Sequence, residues 1–406
     1  MAMASAIKLP EHERPTMRVI QRGPVATGVI LVVVLLLAVV TARVSIAASA
    51  RRAAPELALR ASPGDARALV TLAESALIEP NGLQRAAGYA RQAIERDATL
   101  STPYRILGFA ADERGDLPMA ERLIAGSARL SRRDLPGQLW LINRAVARDD
   151  VPGALEHFDV ALRTSDKAPA ILFPVLAGAT AEPRVIEPLA RRMTGAPWAD
   201  PFLRWAIDNS PETHGLAALS LAFNKHRPLP DEVVAQLASR LSDKGAYTEL
   251  RPVRAISAAR LTGGDWISDP AFAKPTGVGA FEWALGQDGS AQVTRGINAD
   301  GKAGMMFEAP VNRVSEIARQ LLTLPAGDYR LTIDGSIDHG KANWSIVCAG
   351  PGGATLGSLP MASRPIDMMV KVPANCPAQL LTFLSVASDD GATGSVSRVS
   401  LRKQGA

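Results

Sequence analysis

The sequence predicts a multidomain chain in three structured parts: a single transmembrane helix, an α-helical solenoid of repeated hairpins, and a C-terminal β-sandwich of the jelly-roll type. Three observations predict it. Pro24 to Ala42 is a run of 19 positions without a charge. A step of 34 residues brings three later segments into one helical register. Near Leu261 the composition turns to Gly, Thr, Ser and Val in short alternating runs. At 406 residues the chain is long enough for two or three domains with their own cores.

Residues 1–23, with two prolines and mixed charges, predict a disordered cytoplasmic tail. Residues 24–43 predict the membrane helix, because about 20 apolar residues cross a bilayer. Ala48-Ser49-Ala50 offers a small-residue cleavage site, the mark of a signal peptide, but the apolar run exceeds the usual h-region and a retained anchor is the expectation. Lys8, Arg14, Arg18 and Arg22 precede the run and Arg43, Arg51 and Arg52 follow it, so charge asymmetry barely sets orientation. Cys348 and Cys376, the two cysteines of the chain, suit one disulfide, which belongs in an oxidising compartment. Two unrelated buried thiols are the alternative. The expectation is a single-pass protein of the bacterial inner membrane with its body in the periplasm.

Residues 44–61 form a linker, and Ser62-Pro63-Gly64-Asp65 opens a solenoid over residues 62–260. In it Ala86, Ala120 and Ala154 coincide, then Ala90, Ile124 and Phe158, then Ala93, Ser127 and Ala161, each set lying on one helix face. Upstream, Val70/Ala73/Leu77, Tyr104/Leu107/Ala111 and Gln138/Leu141/Ala145 mark a second helix per unit. Two near-identical turns, Gly115 to Ala120 and Asp149 to Ala154, each supply an Asp to cap the second helix and a Pro for its first turn. Beyond the third unit Pro169, Pro174, Pro183 and Pro188 break up the pattern into a degenerate fourth, and helical periodicity returns between Pro201 and Leu241. The period and the Ala-x3-large-x2-Ala pattern resemble the tetratricopeptide family over roughly residues 67–168. The Leu-Gly pair of that family occurs as Leu107-Gly108, while its closing Pro is replaced by Ala98, Arg132 and Asp166. The resemblance implies protein partners held by the first helix of each hairpin, which makes Arg105, Phe109, Asp112 and Asn143 the expected contacts.

Residues 261–406 read as a β-sandwich. Tyr329 to Ile333 and Trp344 to Cys348 alternate like half-buried strands, and Ser395 to Leu401 reads as a closing strand. Asp269 to Phe272, Phe281 to Trp283, Gln320 to Leu331 and the closing strand, in that order, resemble the galactose-binding-like sandwiches found as carbohydrate-binding modules. The resemblance implies a sugar-stacking aromatic, for which Trp266 and Trp344 are the candidates; Trp283 matches a core-like position, and alternation sets Trp344 on one face with Ile346 and Cys348.

Composition excludes several classes. The net charge of +5 is scattered, with no basic run longer than a pair such as Arg191-Arg192, which argues against nucleic acid. The five histidines have no metal-ligand spacing, and no Cys-x-x-Cys, Gly-x-Ser-x-Gly or phosphate loop occurs. Asp334 with Asp338, and Asp389 with Asp390, read as turn-formers beside glycine rather than as a hydrolytic pair. No enzyme, metal or cofactor is expected. The expected function is a membrane-anchored periplasmic scaffold in exopolysaccharide or capsule assembly or export; a glycan-modifying enzyme and a pure protein adaptor are the alternatives.

Overall fold

The computed structural model describes residues 24–257, 264–274, 279–286, 289–298, 301–362 and 365–404. The expected tail at 1–23 and the composition boundary at 260/261 lie outside them. The chain divides into two compact units that meet between Gly137 and Gln138.

In the first unit, α1 runs Pro24–Ala50 and contains the stretch Val29–Ala50, long and apolar enough to be a membrane span or a signal sequence. It outlasts the expected boundary at residue 43 because Ala47 and Ala50 still have something to pack on. Ala47 is buried with Ala58 and Ala68. Ala58 lies on α2 (Pro55–Ala61) and Ala68 on α3 (Ala66–Ile78), so what the sequence suggested was a linker is helical at both ends. Asp65 caps α3 by accepting from the Arg67 and Ala68 amides, and takes the Arg51 guanidinium at 2.7 Å.

The hairpins follow as α4 (Leu83–Arg96), α5 (Ser101–Glu113) and α6 (Leu117–Leu130). Asp116 accepts from the Met119 amide, the cap that the turn motif predicts. Alanine sets the spacing: Ala73, Ala76, Ala86 and Ala90 close around Ile106, all essentially excluded from solvent. Gly108 shows how close the approach is, because a Cβ there would sit 2.4 Å from Ile124 Cγ1. The Leu107-Gly108 pair is therefore a packing requirement.

Helix α7 (Leu135–Ala147) spans the break, and α8 (Val151–Thr164) is capped by Asp150 through the Gly153 amide at 2.9 Å. Then come α9 (Ala168–Ala179), α10 (Pro183–Met193), α11 (Ala199–Asn209), α12 (Thr213–His226), α13 (Asp231–Asp243) and α14 (Tyr247–Ala255). The four prolines do not break the pattern as expected. Pro169 and Pro183 stand in the first turns of α9 and α10, where no amide donor is needed. Pro174 and Pro188 are tolerated inside them. In the second unit α9, α11 and α13 pack in one row, and α8, α10, α12 and α14 in another.

The sandwich holds two five-stranded antiparallel sheets. One orders β1 (Ala284–Leu285), β4 (Glu316–Leu322), β9 (Gln379–Ser385), β6 (Ala342–Cys348) and β7 (Thr355–Pro360). The other orders β2 (Gln292–Ile297), β3 (Ala303–Ala309), β10 (Ala392–Lys403), β5 (Gly327–His339) and β8 (Ile366–Val372). Between them Trp283, Trp344, Phe307, Phe383, Tyr329 and Leu331 fill the core. Cys348 and Cys376 are disulfide-bonded, with Cα atoms 5.5 Å apart. Arg251 of α14 donates to the Thr323 and Leu324 carbonyls, and buried Gln379 holds both the Leu324 amide and the Cys376 carbonyl. Helix and bridged strand thus share one hydrogen-bonded corner.

Candidate functional site

A cavity of about 620 Å³ opens between two neighbouring second helices, α8 and α10, lined by Pro152, Asp159 and Arg163 on one side and Glu187, Pro188, Arg191 and Arg192 on the other. Each wall carries an acid four residues before an arginine, the spacing that places both on one helix face. Asp159 pairs with Arg163 at 2.8 Å and Glu187 with Arg191 at 3.0 Å, in both cases through Nε.

Donors from other elements converge on the same oxygens. Trp198, just before α11, donates Nε1–H to Asp159 Oδ1 at 2.8 Å. His226, at the end of α12, reaches Glu187 Oε1 at 3.0 Å. Arg163 also donates to the Gly195 carbonyl at 3.0 Å. The bonds from Arg191 and then His226 hold the Glu187 carboxyl below the usual carboxylate range. Glu187 is thereby held as an anion, and both acids orient a guanidinium group through its Nε. The sequence signal was present in the two acid-x3-Arg pairs and in Arg191-Arg192, but lay on the second helices of the hairpins rather than the first.

The contacts expected on first helices fare differently. Arg105 is not a surface residue: it is 5% exposed, paired with Asp134 at 2.8 Å and Glu74 at 3.2 Å, and lies 5.6 Å over the Phe109 ring. It fastens α5 to α3 and to the start of the next hairpin, so a free partner contact there is corrected to a buried ion pair. Phe109 and Asp112 are half-buried on α5. Asn143 is exposed on α7, in the other unit. Arg105 and Phe109 are thus brought together, in a structural role.

In the sandwich the expected stacking role of Trp344 is likewise corrected. Trp344 is fully buried, stacked on Phe383 at 4.4 Å and 11°, and meets the edge of Trp283 at 6.1 Å. A ring with both faces covered has none for a sugar. Trp266 is half-buried and edge-on to Tyr329 at 6.2 Å. Phe272, Phe281, Phe307 and Tyr329 are buried as well. Asp334 does not form a turn either: it lies in β5 and pairs with Lys302 at 3.2 Å. Among the described residues no group of three or more His, Cys, Asp or Glu is arranged to hold a metal ion.

No protein-family profile matches the chain, and no curated protein matches it. Among solved structures, a family 61 carbohydrate-binding module in complex with β-1,4-galactotriose is similar at 14% identity and TM-score 0.26, over 34% of this chain and 99% of its own. A family 4 carbohydrate-binding module is similar at 14% and 0.27, over 36% and 100%. The tetratricopeptide protein YrrB, described as having an unusual peptide-binding site, is similar at 15% and 0.26, over 50% and 92%. Likeness at this level carries no argument about activity, ligand or partner. The class rests on the chain itself: an apolar N-terminal helix, tetratricopeptide-like hairpins and a C-terminal two-sheet sandwich.

Proposed function

We propose that this chain is a non-enzymatic scaffold, attached to the bacterial inner membrane through α1 with its body in the periplasm, that holds a protein partner on its helical hairpins and serves the assembly or export of an envelope polysaccharide. The observation that carries the reading is the α8–α10 cavity. Its acids are each engaged by two donors, which suits them to positioning arginines and not to moving protons. Support for the compartment comes from the Cys348–Cys376 bridge, since such bonds persist where the surroundings oxidise. Support for the glycan link is the sequence pattern of the sandwich. With Trp344 buried, any glycan contact falls to Trp266 and the polar sheet faces.

The test is in-cell photo-crosslinking from the cavity walls in native membranes, paired with a reporter fused after Ala406. A discrete crosslinked protein and a reporter active outside the cytoplasm are expected. A cytoplasmic reporter would overturn the orientation, and absence of any crosslinked protein would overturn the scaffold. Retention on the host polysaccharide, lost on Trp266→Ala, tests the glycan half.

A further inference from the structure

We infer that the α8–α10 groove binds an oxyanion, the carboxylate or phosphate of a side chain on an extended segment of the partner protein. The inference rests on the scaffold reading and names the chemistry of what is held.

It begins with how the cations are arranged. Arg163 and Arg191 each give Nε to an acid of their own helix, and Arg163 gives one terminal nitrogen to Gly195. The terminal nitrogens of Arg191 and the other terminal nitrogen of Arg163 have no partner among the described residues, and Arg191 is 70% exposed where it lines the cavity. Arg192, exposed beside it, has no ion pair among the described residues. Three arginines against two acids leave the walls with one positive charge in excess, counting the residues that line the cavity.

An ordinary solvated helix pair needs only its own helix. Here Trp198 and His226 arrive from 39 residues away to hold the same two carboxylate oxygens, so the acids that orient Arg163 and Arg191 are themselves fixed by other elements. Bracing at Nε leaves the outer fork of Arg191 free, and that fork matches the paired oxygens of a carboxylate or phosphate, with the remaining terminal nitrogen of Arg163 across the groove as a further donor. Fixing the fork before the ligand arrives removes part of the ordering cost of binding. Pro152 and Pro188 add rigid apolar surface against which the stem of a peptide residue can lie. The volume falls in the range of about 300 to 1,000 Å³ of sites that enclose a small ligand, enough for a few side chains.

The test uses the full chain in detergent and three labelled peptides of one length: Glu-rich, phosphoserine-rich and Gln-rich. The Glu-rich or the phosphoserine-rich peptide binds and the Gln-rich one does not, and the tighter of the two names the source of the oxyanion. Arg191→Gln with Arg192→Gln weakens binding at least tenfold. Arg192→Gln alone, at a position with no internal partner, weakens it severalfold with an unchanged melting temperature. Equal binding of the Gln-rich peptide, failure of both anionic peptides, or unchanged affinity in Arg192→Gln would overturn the inference. Crosslinking separates it from the scaffold reading: a partner captured equally by the wild type and the double variant sinks the groove alone, whereas no partner in the wild type sinks the scaffold.

Discussion

The first hairpins and the sandwich solve the problem of burial in opposite ways. In the hairpins the interior is alanine, with Ala73, Ala76, Ala86 and Ala90 letting helices approach until Gly108 touches Ile124. In the sandwich the interior is aromatic, with Trp283, Trp344 and Phe383 meeting ring to ring and Phe307 of the other sheet closing on Phe383. Helices that pack closely leave no volume to fill, whereas two sheets about 10 Å apart must be filled with large side chains. The hairpins should therefore suffer from added atoms and the sandwich from removed ones.

The largest effect expected is in the sandwich. Trp344→Ala empties the centre of the ring stack and should cost about 3 to 5 kcal/mol in urea unfolding of the full chain; a loss under about 1 kcal/mol would break the contrast. Nearly as large is a polar exception within the hairpins. Arg105→Ala leaves the Asp134 carboxylate, only 9% exposed, without its cation and with Ser127 Oγ as its remaining side-chain donor, and should cost about 3 kcal/mol, read by the same titration. If it proves silent, the pair belongs to the surface after all. Reducing the Cys348–Cys376 bridge reopens a loop with a sequence separation of 28 and should remove about 3 kcal/mol from the sandwich, seen as a lower melting temperature in reductant.

Smaller, and opposite in sense to Trp344→Ala, is Gly108→Ala. One added methyl should cost about 1 to 3 kcal/mol by overpacking, although alanine is the better helix former. A gain in stability would refute the close approach. The smallest effect is a matter of pH. His157 faces Gln138 Oε1 at 3.0 Å, and burial pulls its pKa below the usual value of about 6.5, against the opposing influence of Glu156 and Asp150. The unfolded chain then binds the proton first as pH falls, so stability contributed by neutral His157 is present above about pH 6.5 and is lost on going below it. Melting curves at about pH 7.5 and 5 should differ more for the native chain than for His157→Gln.

The sequence made the local grammar readable and hid the tertiary convergence. Asp116 and Asp150 were recognisable as caps because capping needs only the next three residues. Alternation already put Trp344 on the inward face with Ile346, against its sugar-stacking role. The start of α9 is hidden in the sequence because a proline reads as a breaker unless its place in the first turn is known, as it is for Pro169 once the helix start is fixed. The groove was illegible for another reason: its bracing joins Asp159 to Trp198 and Glu187 to His226, each 39 positions apart, with no periodicity connecting them. Arg105 misled in the same way, since nothing local announces Asp134 and Glu74 as its partners.

Every aromatic side chain of the sandwich other than Trp266 is buried, and on the outer side of β5 and β10 exposed residues alternate with the buried ones. Residues such as Arg330, Thr332, Arg398 and Arg402, which stand on the open side of β5 and β10, can be exchanged one by one without disturbing the ring stack behind them. Such a domain can drift to a new clientele in the course of evolution while its stability stays where it was.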